Sequence, residues 1–334
     1  MRTQLGLCSV DCPIFPALTS QQWPVKAQAA RAVGTVASKL ASNIQPETQA
    51  RLVHMLLAGL EGRTWAGKES LVRSLADVVK AAPEILRSSM AEEERDKLVA
   101  VLLRESRKDK TEYKVVALES TGTVLKELKV DRFKEVYDIV GGYLPQPRKE
   151  GEEEEEENKE VEEEDPESGA RQLELQQSAL VCVGLAWPES RDTADTFLPV
   201  LLDQLDQLTT QTTRRNQLAL IKCLALILTV WTVPEDAAVS STVASIFTRL
   251  ASIICALLQI PKYVQLRTET LRVLGLAVKL LTGAARPPLV EAFRSDVIAS
   301  LDGVIKDLGS DPATKTTARD LKTALTSLEG RDQN

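Results

Sequence analysis

The chain has 334 residues, only 4% of them aromatic, and its length exceeds what one hydrophobic core keeps filling, which leaves two domains or a quasi-linear array. Aliphatic, aromatic-poor usage selects an array of packed helices. The net charge of −7 conceals an acidic run, Glu150–Glu167, with 13 acids and one lysine; elsewhere the chain is basic by five, too thinly spread for the stripe a nucleic-acid binder needs.

Taken in order, residues 1–22 have no clear period and two prolines, Pro13 and Pro16, and read as a poorly defined leader. The array itself is expected to continue upstream. Over 23–147 the spacing predicts helices at 25–41, 46–60, 66–82, 91–107, 111–129 and 132–143. Their stripes are Ala29, Ala32, Val36 and Leu40; Leu71, Leu75, Val78 and Ala82; and Val115, Leu118, Gly122 and Leu125. Asp131 stands at the start of the sixth helix, and Gly141-Gly142 ends it. Residues 148–169 contain the acidic run and almost no apolar side chain, so a disordered loop is expected there, a solvated spacer before a dock for basic surfaces.

Beyond it, 170–330 resumes the pattern at 170–186, 192–208, 213–231, 238–259, 264–282, 287–308 and 312–328. Asp311-Pro312 supplies an N-cap and an N1 proline for the last helix, whose apolar residues are only Ala318, Leu321, Leu325 and Leu328. That polarity suits a cap facing water. The apolar runs Leu218–Trp231 and Val243–Ile260 are broken by Lys222 and Arg249 and read as buried helices, with no insertion into a membrane. Taken in pairs the helices recur every 40 to 50 residues, so the fold class is all-α, an α-solenoid of HEAT- or armadillo-like helix pairs.

Groups able to do chemistry are few. His54, the single histidine, lies in an apolar helix and reads as a packed or interface residue. Glu92, Glu93 and Glu94 are consecutive and fan around a helix as a solvated face. Arg104, Arg107, Lys108 and Lys110 read as a solvated loop whose charges complement a helix C-terminus. The five cysteines, Cys8, Cys12, Cys182, Cys223 and Cys255, form no four-ligand metal pattern and imply a reducing compartment. No nucleotide-binding or hydrolase motif occurs, so no enzyme, no cofactor and no metal are expected.

Gly62-Arg-Thr-Trp-Ala-Gly-Lys68 is the most particular stretch. Gly62 can end one helix, Thr64 can cap the next, Trp65 can staple it to its neighbour, and Gly67 permits a close backbone approach with Arg63 or Lys68 left outside. Arg63, Thr64, Trp65 and Lys68 are thus the candidate partner-contact or structural corner.

"GRTWAGKESLVRSLADVVKAAPEIL" at 62–86 resembles the C-terminal HEAT region of the large proteasome-associated HEAT-repeat family, the extracellular-mutant-29 homologues. "WPVKAQAARAVGTVAS" from Trp23, "YKVVALESTGTVLKELKVDRFKEVYDIV" from Tyr113, "VGLAWPES" from Val183 and "YVQLRTETLRVLGLAVKLL" from Tyr263 follow in the same order. The resemblance implies a non-enzymatic scaffold that binds the 26S proteasome and supports its assembly, stability or recruitment to the endoplasmic reticulum and endosomes, with endosomal and motor proteins as further partners. It implies a cytoplasmic place, extending to the nucleus and the periphery of those membranes. Residue patterning alone leaves open a general HEAT adaptor for nuclear transport or phosphatases, and an acidic-loop chaperone for basic proteins.

Overall fold

The computed structural model describes residues 14–40, 44–146, 166–210, 212–233, 241–260, 263–284 and 287–328. Among them every regular element is helical. The chain divides into two compact units, Met1–Ile139 and Val140–Asn334.

In the first unit the helices are α1 (Ile14–Leu18), α2 (Trp23–Leu40), α3 (Pro46–Gly59), α4 (Glu69–Ala81), α5 (Pro83–Ser89), α6 (Glu92–Ser106), α7 (Thr111–Leu128) and α8 (Phe133–Val140), the last reaching the unit boundary. They form two layers: α2, α4 and α7 lie side by side, while α1, α3 and α5 line up against them and α6 backs α7. Apolar residues three and four apart make this arrangement necessary, since each helix has one face to bury. Leu71, Leu75 and Val78 of α4 are fully enclosed, as are Ala117 and Val124 of α7. In α2 Ala27, Ala29, Ala30, Val33 and Ala37 are buried, so Ala29 of the expected stripe is inside while Ala32, Val36 and Leu40 lie at its half-buried margin. The alanine-rich helix offers apolar side chains all round, so composition alone does not fix its angle.

Small residues set how closely α2 and α4 approach. A Cβ on Gly34 would lie 2.7 Å from Asp77 Oδ2, and Ser74 Oγ donates to the Ala30 carbonyl at 2.6 Å. Helix α5 is an addition to the expected set. Ala82 leaves the helical region (φ −150°, ψ 69°) and Pro83 takes the first position of a new short helix, where its missing N–H costs nothing. Gln49 secures the corner by donating from Nε2 to the Val78 and Ala82 carbonyls at 2.9 and 3.1 Å. Residues 14–18 of the expected leader form α1, which buries Phe15 and Leu18.

The second unit contains α9 (Pro166–Ala186), α10 (Arg191–Leu208), α11 (Arg214–Val230), α12 (Ser241–Leu258), α13 (Val264–Ala284), α14 (Pro287–Lys306) and α15 (Pro312–Ser327). Again there are two layers, α9–α11–α13–α15 and α10–α12–α14. The first-layer helices begin at 166, 214, 264 and 312, intervals of 48 to 50 residues, the repeat length expected from pairing. Ser190, Thr213 and Asp311 cap α10, α11 and α15 by accepting from the backbone N–H three residues on. Gly184 lets α9 and α11 touch, since a Cβ there would lie 2.9 Å from Cys223 Cα. Helix α12 is long and apolar enough to cross a membrane, yet it buries Phe247, Leu250, Ile253, Ile254 and Leu257 within this unit.

Candidate functional site

The expected corner lies in the first unit between α3 and α4. Helix α3 ends at Gly59 with Leu60 as its C-cap, and the chain then needs two left-handed residues, Gly62 (φ 79°) and Gly67 (φ 103°). Between them Arg63 and Thr64 are exposed and Trp65 is half-buried. The Trp65 ring stacks on Trp23 at the start of α2, with centroids 6.0 Å apart and planes 16° from parallel. Gly67 lies under this stack, where a Cβ would come within 3.0 Å of Ala27 Cβ and 3.4 Å of the Trp65 ring. Trp65 is therefore the staple expected of it, and its partner Trp23 was not foreseen.

Two expectations for this corner fail. Thr64 caps nothing, because α4 begins only at Glu69 with Lys68 as its N-cap residue; the Glu69 carboxylate instead accepts from Gly67 N–H at 3.1 Å. Lys68 is not outside either: its side chain is wholly enclosed, with Nζ 3.1 Å from Glu105 Oε2 of α6 and 3.4 Å from the Gly62 carbonyl. Side chains in the first turn of a helix lean towards its N-terminus, and here that direction leads under the corner to a buried carboxylate.

Glu105 is itself fully buried and collects donors from three sides. Tyr113 Oη of α7 donates to Oε2 at 2.6 Å, and Arg104 Nη2 and Nε reach Oε1 at 3.2 and 3.3 Å. Burial alone would raise the Glu105 carboxyl, but the hydrogen bonds from Tyr113 and Lys68 and the lysine's charge outweigh it and hold the group below the ordinary glutamate range. Burial lowers the Lys68 ammonium, against the opposing pull of Glu105. Burial raises the Tyr113 phenol, and its bond to the carboxylate adds to that. Beside them Ser106 and Thr121 share a hydrogen bond of 2.9 Å, so α4, α6 and α7 are joined by a polar core under an exposed aromatic surface. Glu105 and Tyr113 escape notice in the sequence because each looks like an ordinary member of a helical face.

The remaining chemistry-bearing residues are dispersed. His54 is not packed: its side chain is 59% exposed, with Nε2 4.0 Å from Glu94 Oε1. Histidine sits where the exposed side of α3 meets the first turn of α6, and the apolar neighbours in sequence face the other way. Arg107 turns back to the Leu103 carbonyl at the end of α6, and Lys110 lies 3.9 Å from Glu112. Cys182, Cys223 and Cys255 are buried free thiols, and burial pushes the Cys223 and Cys255 thiols up, away from the reactive thiolate. Among the described residues no three His, Cys, Asp or Glu side chains cluster as metal ligands. Cys8, Cys12 and the acidic run as far as Asp165 lie outside the described residues.

Two-layered stacks with a repeat near 48 residues place the chain in the class of armadillo-like helical-repeat proteins. It belongs to the family described as ECM29, C-terminal ARM-like repeats, which it matches over residues 79–308. The corner lies just before that stretch. The Homo sapiens "Proteasome adapter and scaffold protein ECM29" is 31% identical over 317 residues, covering 94% of this chain and 17% of that protein. The Drosophila melanogaster "Proteasome-associated protein ECM29 homolog" is 29% identical over 227 residues, 66% of this chain and 12% of that protein. This chain thus spans less than a fifth of the length of either relative. A solved engineered protein aligns over 94% of this chain and 96% of its own at 14% identity, with a TM-score of 0.43.

Proposed function

We propose that this chain is a non-enzymatic repeat segment of a proteasome-associated scaffold. The observation that carries the reading is the 31% identity, over 94% of this chain, to a protein named as a proteasome adapter and scaffold. Stacked helix pairs suit the role, because they expose long rigid faces built for macromolecular contact. The corner at Arg63, Thr64 and Trp65 gives such a face an exposed arginine beside a stacked aromatic pair, residue types enriched where binding energy concentrates. In this reading Lys68 supports the corner from below and does not meet a partner. The scaffold works in the cytoplasm, supports assembly or stability of the 26S proteasome, and brings it to the endoplasmic reticulum and endosomes.

The test is a pull-down from cytosol with the tagged chain at low and moderate salt, reading peptidase activity and proteasome subunits in the eluate. Enrichment at both salt levels is expected. A folded chain that enriches neither would overturn the claim that this segment binds proteasomes by itself.

A further inference from the structure

We propose that a pocket on the first unit, between α3 and the α5–α6 connection, is a docking site for a lysine or arginine side chain of a protein partner. Glu47, Ala50 and His54 follow at helical spacing on one face of α3, and Pro46 opens that helix. Opposite them stand Ser89 and Met90 at the end of α5 and Glu94 in the first turn of α6. Together they line about 190 Å³, the scale of one side chain, with Met90 buried, Ala50 half-buried, and Glu47, Glu94 and His54 reaching solvent at the rim.

The rim carboxylates have capacity to spare. The Glu47 side chain makes no hydrogen bond or ion pair with any described residue, whereas that of Glu94 receives only the Ala91 N–H at 3.3 Å and stands 4.0 Å from His54. Glu92 and Glu93 share the first turn of α6 and add to the local negative potential. Two nearby arginines are engaged elsewhere: the Arg51 guanidinium lies 4.0 Å over the Phe15 ring, and Arg87 pairs with Glu84. Glu47 and His54 are seven residues apart on α3, about 10 Å along its axis, too far to chelate one ion. Apolar side chains beside rim carboxylates fit instead a hydrocarbon stem that lies across the pocket and keeps its cation at the rim. The proposal is independent of which macromolecule the scaffold serves.

His54 is the only histidine in the chain, so its ring gives a single NMR reporter within the pocket. The experiment titrates the folded chain at fixed pH 7.5 with blocked Gly-Lys-Gly and Gly-Arg-Gly peptides, using Gly-norleucine-Gly as the uncharged isostere. A saturable shift of the His54 ring proton is expected with the two basic peptides, and affinity should fall about tenfold in Glu47→Gln/Glu94→Gln, as for close charge pairs. Glutamine at 94 can still accept the Ala91 N–H, so the helix start is preserved. No saturable shift, an equal shift with norleucine, or affinity unchanged in the double variant would each overturn the site.

Discussion

Lys68 and Glu105 lie 37 positions apart in sequence, yet their charged atoms meet at 3.1 Å with neither side chain reached by solvent. Such a pair contributes little over a well-packed apolar equivalent, but half of it is a liability, because an unmatched charge then stays inside. Lys68→Met is expected to destabilise the first unit by about 3 kcal/mol, the low end for a broken buried pair, since Tyr113 and Arg104 still serve the carboxylate. Lys68→Met with Glu105→Leu should recover a large part of that loss. Trp23 and Trp65 belong to this unit and Trp187 and Trp231 to the other, so urea unfolding followed by fluorescence in a Trp187→Phe/Trp231→Phe background reads it directly. A double variant as weak as the sum of its singles would contradict the pairing.

The same carboxylate dictates an acid response. Glu105 is held below its ordinary 4.5 in the folded chain, so below that pH the unfolded chain takes up a proton before the folded one does. Its stabilising contribution is therefore complete above 4.5 and declines as pH falls towards the folded value. Glu105→Gln should lower stability at pH 7, and the gap from the parent should narrow as pH falls below 4.5. At the alkaline end two effects oppose: Lys68, lowered from 10.5, adds stability as pH rises to that value, while Tyr113, raised from 10.0, removes it beyond. The acid limb is accordingly the one to measure.

Gly62 and Gly67 both occupy the left-handed region, but their surroundings differ. Alanine at 62 meets nothing within 4 Å, so only the backbone conformation is penalised, at roughly 1 kcal/mol. Alanine at 67 adds a 3.0 Å contact with Ala27 and crowds the Trp65 ring. Gly67→Ala should cost about 2–3 kcal/mol, appreciably more than Gly62→Ala. Thermal midpoints of the two variants, side by side, decide the order.

Trp65→Ala separates support from contact. Losing the stack on Trp23 should remove about 1 kcal/mol beyond the lost area, lowering the midpoint of the first unit by a few degrees. If the aromatic pair also meets a partner, proteasome recovered per folded molecule in the pull-down should fall several-fold. Recovery unchanged after correction for the folded fraction would confine Trp65 to the corner.

Helices longer than three turns were readable because proline and a regular apolar stripe mark them independently. Helix α5 was not: Pro83 signals a break, and nothing in seven residues distinguishes a restart from a loop. The turn itself was legible, because Gly62 and Gly67 take the left-handed conformation and turn chemistry is local. Lys68 was not, since a lysine near a helix start ordinarily faces water and its partner lies on another helix of the next pair. Thr64 failed for a related reason, as Glu69 satisfies Gly67 N–H from inside the helix and makes an earlier cap unnecessary.

The 48-residue step of the second unit bears on how the protein is made. Its main contacts run from each helix to the same layer of the next pair, α9 to α11, α11 to α13, α10 to α12 and α12 to α14, with α12–α13 and α14–α15 joining the two layers. Helix α11 therefore finds its surface on chain synthesised about one repeat earlier, and no contact of comparable extent waits for a distant segment. Such a chain can assemble while it emerges from the ribosome, each pair closing over the apolar side of the one before. The dangerous interval is the synthesis of a single repeat, a few seconds at about 5–20 residues per second.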